Sequence, residues 1–116
     1  MYRGEVWLIN LDPTMGAEIR KTRPAVIVSS DAVGVLPLRV VVPLTDWKSR
    51  YQPAAWMIKI SPNEKNGLAK DSAADTFQIR SLSTSRFVRK IGEIKANEMD
   101  KIVNAIRLVV EYTSPD

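Results

Sequence analysis

The chain opens with Glu5-Val-Trp-Leu-Ile-Asn10 and, after a charged loop, continues with Ala25-Val-Ile-Val28. Both runs are short and rich in β-branched and aromatic residues, as is typical of β-strands. The loop ends in Gly16-Ala-Glu-Ile-Arg-Lys-Thr-Arg-Pro24, which carries three cations and one carboxylate in nine residues. Neighbouring strands of a small domain are usually joined by a compact turn. The charged loop is therefore the first candidate for a functional segment.

Further short runs extend the β pattern along the chain. We expect strands at about 3–10, 24–30, 38–45, 54–60, 70–79 and 86–93, separated by turn residues such as Gly34 and Ser61-Pro62-Asn63. Many short strands of this kind favour a small barrel over a layered α/β sheet. Pro43 interrupts the third run, and because proline removes a ladder donor, we expect an edge or a bulge there.

The last part of the chain has helical periodicity. Apolar residues at helical spacing form one stripe, which comprises Met99, Ile102, Val103, Ile106, Val109 and Val110. Asn97 is a suitable N-cap with Asp100 three residues later, and Pro115 cannot continue the helix. The predicted fold is mainly β within the α+β class: a small β-barrel closed by a C-terminal helix, as a single domain over residues 1–116.

Composition limits the available chemistry. The 116 residues contain 45% hydrophobic and 26% charged residues, which is globular composition. Cysteine and histidine are both absent, so any catalysis must use carboxylate, guanidinium, ammonium and hydroxyl groups. No stretch resembles a signal peptide, and no run approaches the roughly 18 apolar residues of a membrane span. We expect a cytoplasmic protein that does not enter the membrane.

The charge is unevenly distributed. The net charge is +4, and residues 76–95 carry that whole excess through five cations against one carboxylate. A basic excess indicates an anionic partner such as nucleic acid. This interpretation requires Arg86, Arg89 and Lys90 to share a face with Arg20 and Lys21. The alternative is an ordinary solvated strand-and-turn surface.

Several polar groups are expected at one rim of the barrel. The loop supplies Glu18, Arg20, Lys21 and Arg23, the third run ends in Thr45 and Asp46, and the fifth run ends in Gln78 and Arg80. A carboxylate, an arginine, a hydroxyl and an amide suit transfer of an RNA phosphodiester to its own 2′-hydroxyl. Glu18 is a candidate proton acceptor, Arg23 a bidentate phosphate ligand and Thr45 a second donor. This chemistry needs no metal and no cofactor.

Each of these residues also has a structural interpretation. Arg23 before Pro24 is consistent with a surface cation held extended by the proline. Glu18 is consistent with an exposed ion pair to a loop cation, which would contribute little stability. Thr45 is an ordinary strand residue, and Gln78 is a hydrogen-bonding group within the barrel. Residue types by themselves do not decide between the two interpretations.

The opening of the chain adds a resemblance to a known family. The segments Gly4-Glu-Val-Trp-Leu-Ile-Asn-Leu-Asp-Pro-Thr-Met-Gly-Ala-Glu18 and Arg23-Pro-Ala-Val-Ile-Val-Ser29 resemble the MazF/PemK-type toxins of toxin–antitoxin systems. The likeness thins through 40–45, returns at Gln78-Ile-Arg80 and persists weakly in the helix. It implies a sequence-specific, metal-independent endoribonuclease that leaves a 2′,3′-cyclic phosphate and a 5′-hydroxyl end.

The resemblance also implies an assembly and a set of site residues. It implies a small SH3-like barrel that forms a homodimer, with single-stranded RNA bound in a groove at the dimer interface. Arg23 matches the catalytic arginine before proline, Glu18 the acidic residue that some members use as a base, and Thr45 the threonine beside the scissile phosphate. The RNA-binding set expected around them comprises Arg20, Lys21, Ser30, Gln78, Arg80 and Arg86. An acidic antitoxin on a separate chain would block the groove, and DNA would be contacted only indirectly through that antitoxin.

Two departures and two alternatives accompany the resemblance. Many members have Asp or Glu before the glutamine where this chain has Phe77, and the segment 19–22 is more cationic than in relatives. One alternative is a gyrase poison of the same barrel type. Its functional ending is Trp-Gly-Ile, whereas this chain ends Glu111-Tyr-Thr-Ser-Pro-Asp116. The other alternative is a non-catalytic barrel that binds RNA or protein.

Overall fold

The fold is described from a computed structural model that covers residues 1–113 and 115. It is mainly β, with one α-helix after the last strand of the described chain. The elements are β1 (Glu5–Asn10), β2 (Thr22–Ile27), β3 (Leu38–Asp46), β4 (Met57–Ile60), β5 (Ser72–Asp75), β6 (Arg80–Ser83), β7 (Phe87–Glu93) and α1 (Ala96–Val109). No helix among these is long and apolar enough to cross a membrane.

The strands form one antiparallel sheet in the order β4-β5-β3-β2-β1-β7, and β6 also pairs with β3. The beginning of β3 pairs with β6 and its end pairs with β5, so this strand connects the two halves of the sheet. Alternating side chains of the central strands enter two apolar clusters. One contains Val6, Val26 and Val42 with residues of α1, and the other contains Ile9 and Ile27. Both faces of the central strands are therefore buried.

The prediction of a mainly β fold with a C-terminal helix is confirmed, but strand pairing does not close the sheet. Over the described ranges, β4 and β7 are not paired with each other. The connection between β4 and β5 crosses β7 instead, and Glu93 N–H donates to the Lys65 carbonyl at 2.9 Å. The two backbones are so close that a Cβ on Gly67 would lie 2.0 Å from the Ile91 carbonyl oxygen. A loop therefore occupies the place of the expected closing ladder.

Pro43 lies inside the sheet rather than at its edge. Val41 pairs with Arg80 of β6, and Leu44 pairs with Ala74 of β5. Pro43 falls between these two pairings, while its partner on the other side is Ala25 of β2. The missing donor is tolerated because β3 changes partners at this point.

The predicted strand over 70–79 is only partly observed. β5 ends at Asp75, a 3₁₀ turn follows at Thr76–Gln78, and β6 begins at Arg80. The strand ends because the Asp75 carboxylate accepts the Phe77 backbone N–H at 3.2 Å and folds the chain into a turn. Asp75 and Phe77 are consequently not two residues of one strand face.

The helix stripe packs on the sheet, as predicted. Met99 and Ile102 are buried in the core, and Val103 and Ile106 pack against it. Asn97 was expected to be the N-cap, but it lies in the first turn. The N-cap is Lys95, two residues earlier, and the Glu98 carboxylate accepts its backbone N–H at 2.9 Å. Val110 follows the end of the helix and is exposed.

Candidate active site

Arg23 and Thr45 are brought together by strand register. Ala25 of β2 pairs with Pro43 of β3 in an antiparallel ladder. The ladder ends at this pair, and continuing its register by two residues, back along β2 and forward along β3, leads to Arg23 and Thr45. Both line one cavity of about 420 Å³, called the Arg23 cavity below. The structure thus joins two of the three predicted catalytic residues.

The Arg23 cavity gathers more positive than negative charge. Lys70 and Arg89 also line it, together with the carboxylate of Asp46. Lys70 Nζ lies 3.0 Å from Asp46 Oδ2. This hydrogen bond lowers the pKa of Asp46, and the charge of Arg23 adds to the lowering. Three cations against one paired carboxylate suit an anionic ligand.

Arg23 is half-buried, and its guanidinium is only weakly hydrogen-bonded within the protein. Its Nε donates a long 3.4 Å hydrogen bond to the Arg20 carbonyl, and it forms no ion pair within residues 1–113 and 115. Pro24 holds the Arg23 backbone extended, which fixes the direction of the side chain. The remaining guanidinium donors are therefore available to a ligand.

Glu18 is not placed in the Arg23 cavity. It lines an adjoining cavity of about 400 Å³ together with Ile19, Pro43 and residues 77–80. Its Oε1 accepts the Met15 backbone N–H at 2.5 Å. The carboxylate thus caps its own loop, and the structure does not bring it beside Arg23 and Thr45.

Gln78 holds the loop in place. Its Oε1 accepts the Ile19 backbone N–H at 2.6 Å, and its Nε2 donates to Asp75 Oδ2 at 3.1 Å. Asp75 is buried, and burial raises the pKa of its carboxyl against the lowering effect of the hydrogen bonds from Gln78 and the Phe77 N–H. Gln78, predicted as an RNA contact, therefore connects the loop to the sheet with both ends of its amide.

Other predicted RNA contacts are divided among separate places. Arg20 and Lys21 are exposed on the loop, and Arg80 lines the cavity that contains Glu18. Arg86 Nη1 donates to the carbonyls of Asn10 and Asp12, where the loop begins. These cations surround the loop from several sides.

Ser30 and Lys90 lie away from the Arg23 cavity. The Ser30 hydroxyl accepts the Ala32 N–H at 3.1 Å and caps a turn beyond the far end of β2. At about 3.3 Å per residue, the length of β2 separates it from Arg23. Lys90 Nζ is 3.1 Å from Glu5 and 2.9 Å from Glu93. The condition that Arg89 and Lys90 share a face is not met, because adjacent strand residues point to opposite sides.

The residue that sequence reasoning missed is Lys70. It belongs to the connection between β4 and β5, which contains Gly67 and reaches the Arg23 cavity by crossing β7. The sequence around it, Asn66-Gly-Leu-Ala-Lys70, indicates only a turn followed by a cation. Its place in the site depends on how the sheet closes.

Residues 2–110 match the family described as PemK-like, MazF-like toxins of type II toxin–antitoxin systems. The chain belongs to this family. It is 34% identical to endoribonuclease MazF9 of Mycobacterium tuberculosis, over 98% of this chain and 99% of that protein. It is 30% identical to endoribonuclease MazF of Staphylococcus saprophyticus, over 91% of this chain and 88% of the relative.

Solved structures agree with the fold. MazF from Deinococcus radiodurans superposes with a TM-score of 0.81 at 22% identity, covering 97% of both chains. An endoribonuclease from a mycobacterial species, solved in complex with its cognate antitoxin, superposes with a TM-score of 0.77 at 21% identity over 99% of both chains. The predicted family and fold class are confirmed, and the named relatives support the predicted endoribonuclease activity.

Proposed function

We propose that this chain is a toxin that cuts single-stranded RNA at specific sequences without a metal ion. The observation that carries the proposal is that Arg23 and Thr45 line one cavity of net positive charge. A phosphodiester is the anion that this combination suits, because a guanidinium grips two phosphate oxygens and a hydroxyl donates to one. A cytoplasmic location follows from this role, since messenger RNA is there.

The proposed reaction is an in-line attack by the 2′-hydroxyl on the adjacent phosphorus. The new bond joins the 2′-oxygen to phosphorus, and the bond to the 5′-oxygen breaks to leave a 2′,3′-cyclic phosphate and a 5′-hydroxyl. Arg23 and Thr45 stabilise the charge that develops on the non-bridging oxygens. Guanidinium groups keep their protons in proteins, so Arg23 acts through charge and the leaving oxygen takes its proton from solvent.

Removal of the 2′-proton needs a carboxylate, and we assign this role to Glu18. Asp46 lies closer to Arg23, but its ion pair with Lys70 lowers its pKa and weakens it as a proton acceptor. Glu18 lies in the neighbouring cavity, on an exposed segment. Catalytic contacts often tighten only when substrate binds, so the separation in the free protein is compatible with the assignment.

The proposal includes a homodimer and an acidic antitoxin. A dimer contact is supported by exposed apolar side chains between β2 and β3 and at the start of β3, namely Val33, Val35, Leu36 and Leu38. The helix stripe gives little support of this kind, because Met99, Ile102, Val103 and Ile106 pack on the core of their own chain. The cationic Arg23 cavity suits an acidic segment of an antitoxin chain, through which any contact with DNA would be made.

The test is to map cleavage ends on a long single-stranded RNA incubated with purified protein and EDTA. We expect cuts at one short sequence, with cyclic phosphate and 5′-hydroxyl ends. The matched variant Arg23→Ala should remain folded by circular dichroism and make no cuts. Cutting that EDTA abolishes, or an Arg23→Ala protein that cuts normally, would contradict the proposal. RNA binding without any cutting would favour the non-catalytic alternative.

A further inference from the structure

Two aromatic side chains are exposed beside Gln78, the residue that connects the charged loop to the sheet. Phe77 is 66% exposed and Trp56 is 41% exposed. Their ring centroids are 6.4 Å apart with an interplanar angle of 68°, an edge-to-face pair. Large apolar rings in contact with solvent are unfavourable, so a pair presented together indicates a binding surface.

The backbone holds both rings in place. Thr76 donates to the Trp56 carbonyl twice, through its N–H at 3.1 Å and its hydroxyl at 2.7 Å. The buried Asp75 carboxylate accepts the Phe77 N–H and fixes the 3₁₀ turn that points Phe77 outward. The backbone positions of both residues are therefore fixed relative to each other, which reduces the entropy cost of presenting the two rings side by side.

The aromatic pair is continuous with the proposed active site. Phe77 forms a wall between two depressions, one of about 300 Å³ shared with Trp56 and one of about 400 Å³ shared with Glu18. The second depression also contains Pro43, which lies on the same face of β3 as Thr45 in the Arg23 cavity. Along the strand these two residues are about 6.6 Å apart.

We propose that Phe77 and Trp56 form a stacking platform for one unpaired base of the RNA whose phosphate lies at Arg23. The proposal rests on the proposed function. Aromatic faces accept any base by stacking, and Arg80 in the adjoining depression provides a cation for the neighbouring phosphate. The position of the rings next to the depression that contains Glu18, and the cation beside them, favour a nucleotide over an apolar segment of a protein.

The test measures binding in an Arg23→Ala background, where the RNA stays intact. Phe77→Leu keeps an apolar side chain but removes the ring, and it should weaken binding of a single-stranded RNA about 5- to 150-fold. Phe77→Trp, which keeps an aromatic ring, should bind this RNA as tightly as the protein with Phe77. Tyr2→Leu is the matched control, because Tyr2 is also 66% exposed and lies elsewhere, and it should bind normally.

Substituting each nucleotide of the RNA in turn by an abasic one identifies the stacked base. One abasic position should weaken binding to the Arg23→Ala protein as much as the Phe77→Leu substitution does. In the protein that also carries Phe77→Leu, the same abasic position should cause no further loss of affinity. Unchanged affinity of Phe77→Leu would overturn the platform. If Phe77→Leu sediments at half the mass of the parent protein but binds RNA with the same affinity per chain, the aromatic pair is a contact between protein chains and the stacking platform is overturned. Cutting by the wild-type protein tests the proposed function separately, so each idea fails on its own measurement.

Discussion

Two charged regions meet at β7, and they differ in how their charges are satisfied. In the Glu5 cluster, made of Glu5, Lys90 and Glu93, the ammonium lies 3.1 and 2.9 Å from the two carboxylates. In the Arg23 cavity, the adjacent residue Arg89 points to the opposite side and joins Arg23. One face of the strand carries charges that neutralise each other, and the other carries cations in excess.

Hydrogen bonding reinforces the difference. The carboxylate of Glu5 is buried, and burial acts to raise its pKa. Hydrogen bonds from Trp7 Nε1, the Tyr2 N–H and Lys90 nevertheless lower the pKa to about 2. Within residues 1–113 and 115, the Arg23 side chain makes one hydrogen bond, the long 3.4 Å contact to a backbone carbonyl, and no ion pair. Charged side chains that are hydrogen-bonded within the protein stabilise the fold. Charged side chains that are fixed in direction but make few hydrogen bonds within the protein are available to a ligand.

The largest expected effect comes from keeping the charge of Arg23 while changing its shape. Arg23→Lys should reduce the cleavage rate about 100- to 1000-fold, because an ammonium cannot grip two phosphate oxygens in one plane. The melting temperature should hardly change. The control Lys90→Arg should cut at the wild-type rate, and a fully active Arg23→Lys protein would refute the bidentate role.

The second prediction separates the two carboxylates near the Arg23 cavity. Glu18→Gln should lower the single-turnover rate about 100-fold, because a general base is lost. Asp46→Asn should have a much smaller effect, because Asp46 is held by Lys70. The two variants are compared at saturating RNA. The reverse ranking would move the proton acceptor to Asp46.

The third prediction concerns the Glu5 cluster. The pKa of Glu5 is about 2 in the folded protein against an ordinary value of 4.5. Ionised Glu5 therefore stabilises the fold above pH 4.5, and this contribution, about 3 kcal/mol, is lost as the pH falls towards 2. Glu5→Gln should lower the free energy of unfolding by that amount at pH 7 and flatten its pH dependence in this window.

Urea unfolding at pH 7 and pH 3 checks this prediction. The control Glu93→Gln removes an exposed partner and should change the free energy of unfolding by less than about 1 kcal/mol. Folded Glu5→Gln protein should still cut RNA. An unchanged stability at pH 7 would show that the hydrogen bonds to Glu5 contribute nothing net.

The smallest expected effect is a change in the salt dependence of RNA binding when Arg89 of β7 is substituted. If Arg89 contacts a phosphate, Arg89→Gln should reduce the slope of log affinity against log salt by about 1. Lys90→Gln should leave that slope unchanged, because Lys90 belongs to the Glu5 cluster. The cleavage sequence should be the same in both variants, since phosphate contacts position the RNA without reading it. Equal slopes for Arg89→Gln and wild type would place Arg89 outside the RNA path.

The sequence predicted those parts of the molecule that depend on local pattern. β1, β2 and α1 follow from apolar runs and helical spacing, and Arg23 follows from its position before Pro24 beside a strand. Hydrogen bonds from side chains to the backbone that create turns, and contacts between residues distant in sequence, could not be predicted in this way. Glu18 accepts the N–H of Met15, and the Asp75 carboxylate ends β5 early and turns Phe77 outward. Lys70 enters the site only through the crossing of β7 by a distant loop.

The pairing of β1 with β7 also has a consequence for synthesis of the chain. Val6 pairs with Gly92, so β1 waits for a partner that is synthesised more than 80 residues later. Such long-range pairing forms late in folding. Arg89 and Ile91 of β7 also line the Arg23 cavity. A nascent chain whose β7 is still inside the ribosome has no complete cavity, and so the proposed toxin would gain its activity only after β7 has left the ribosome.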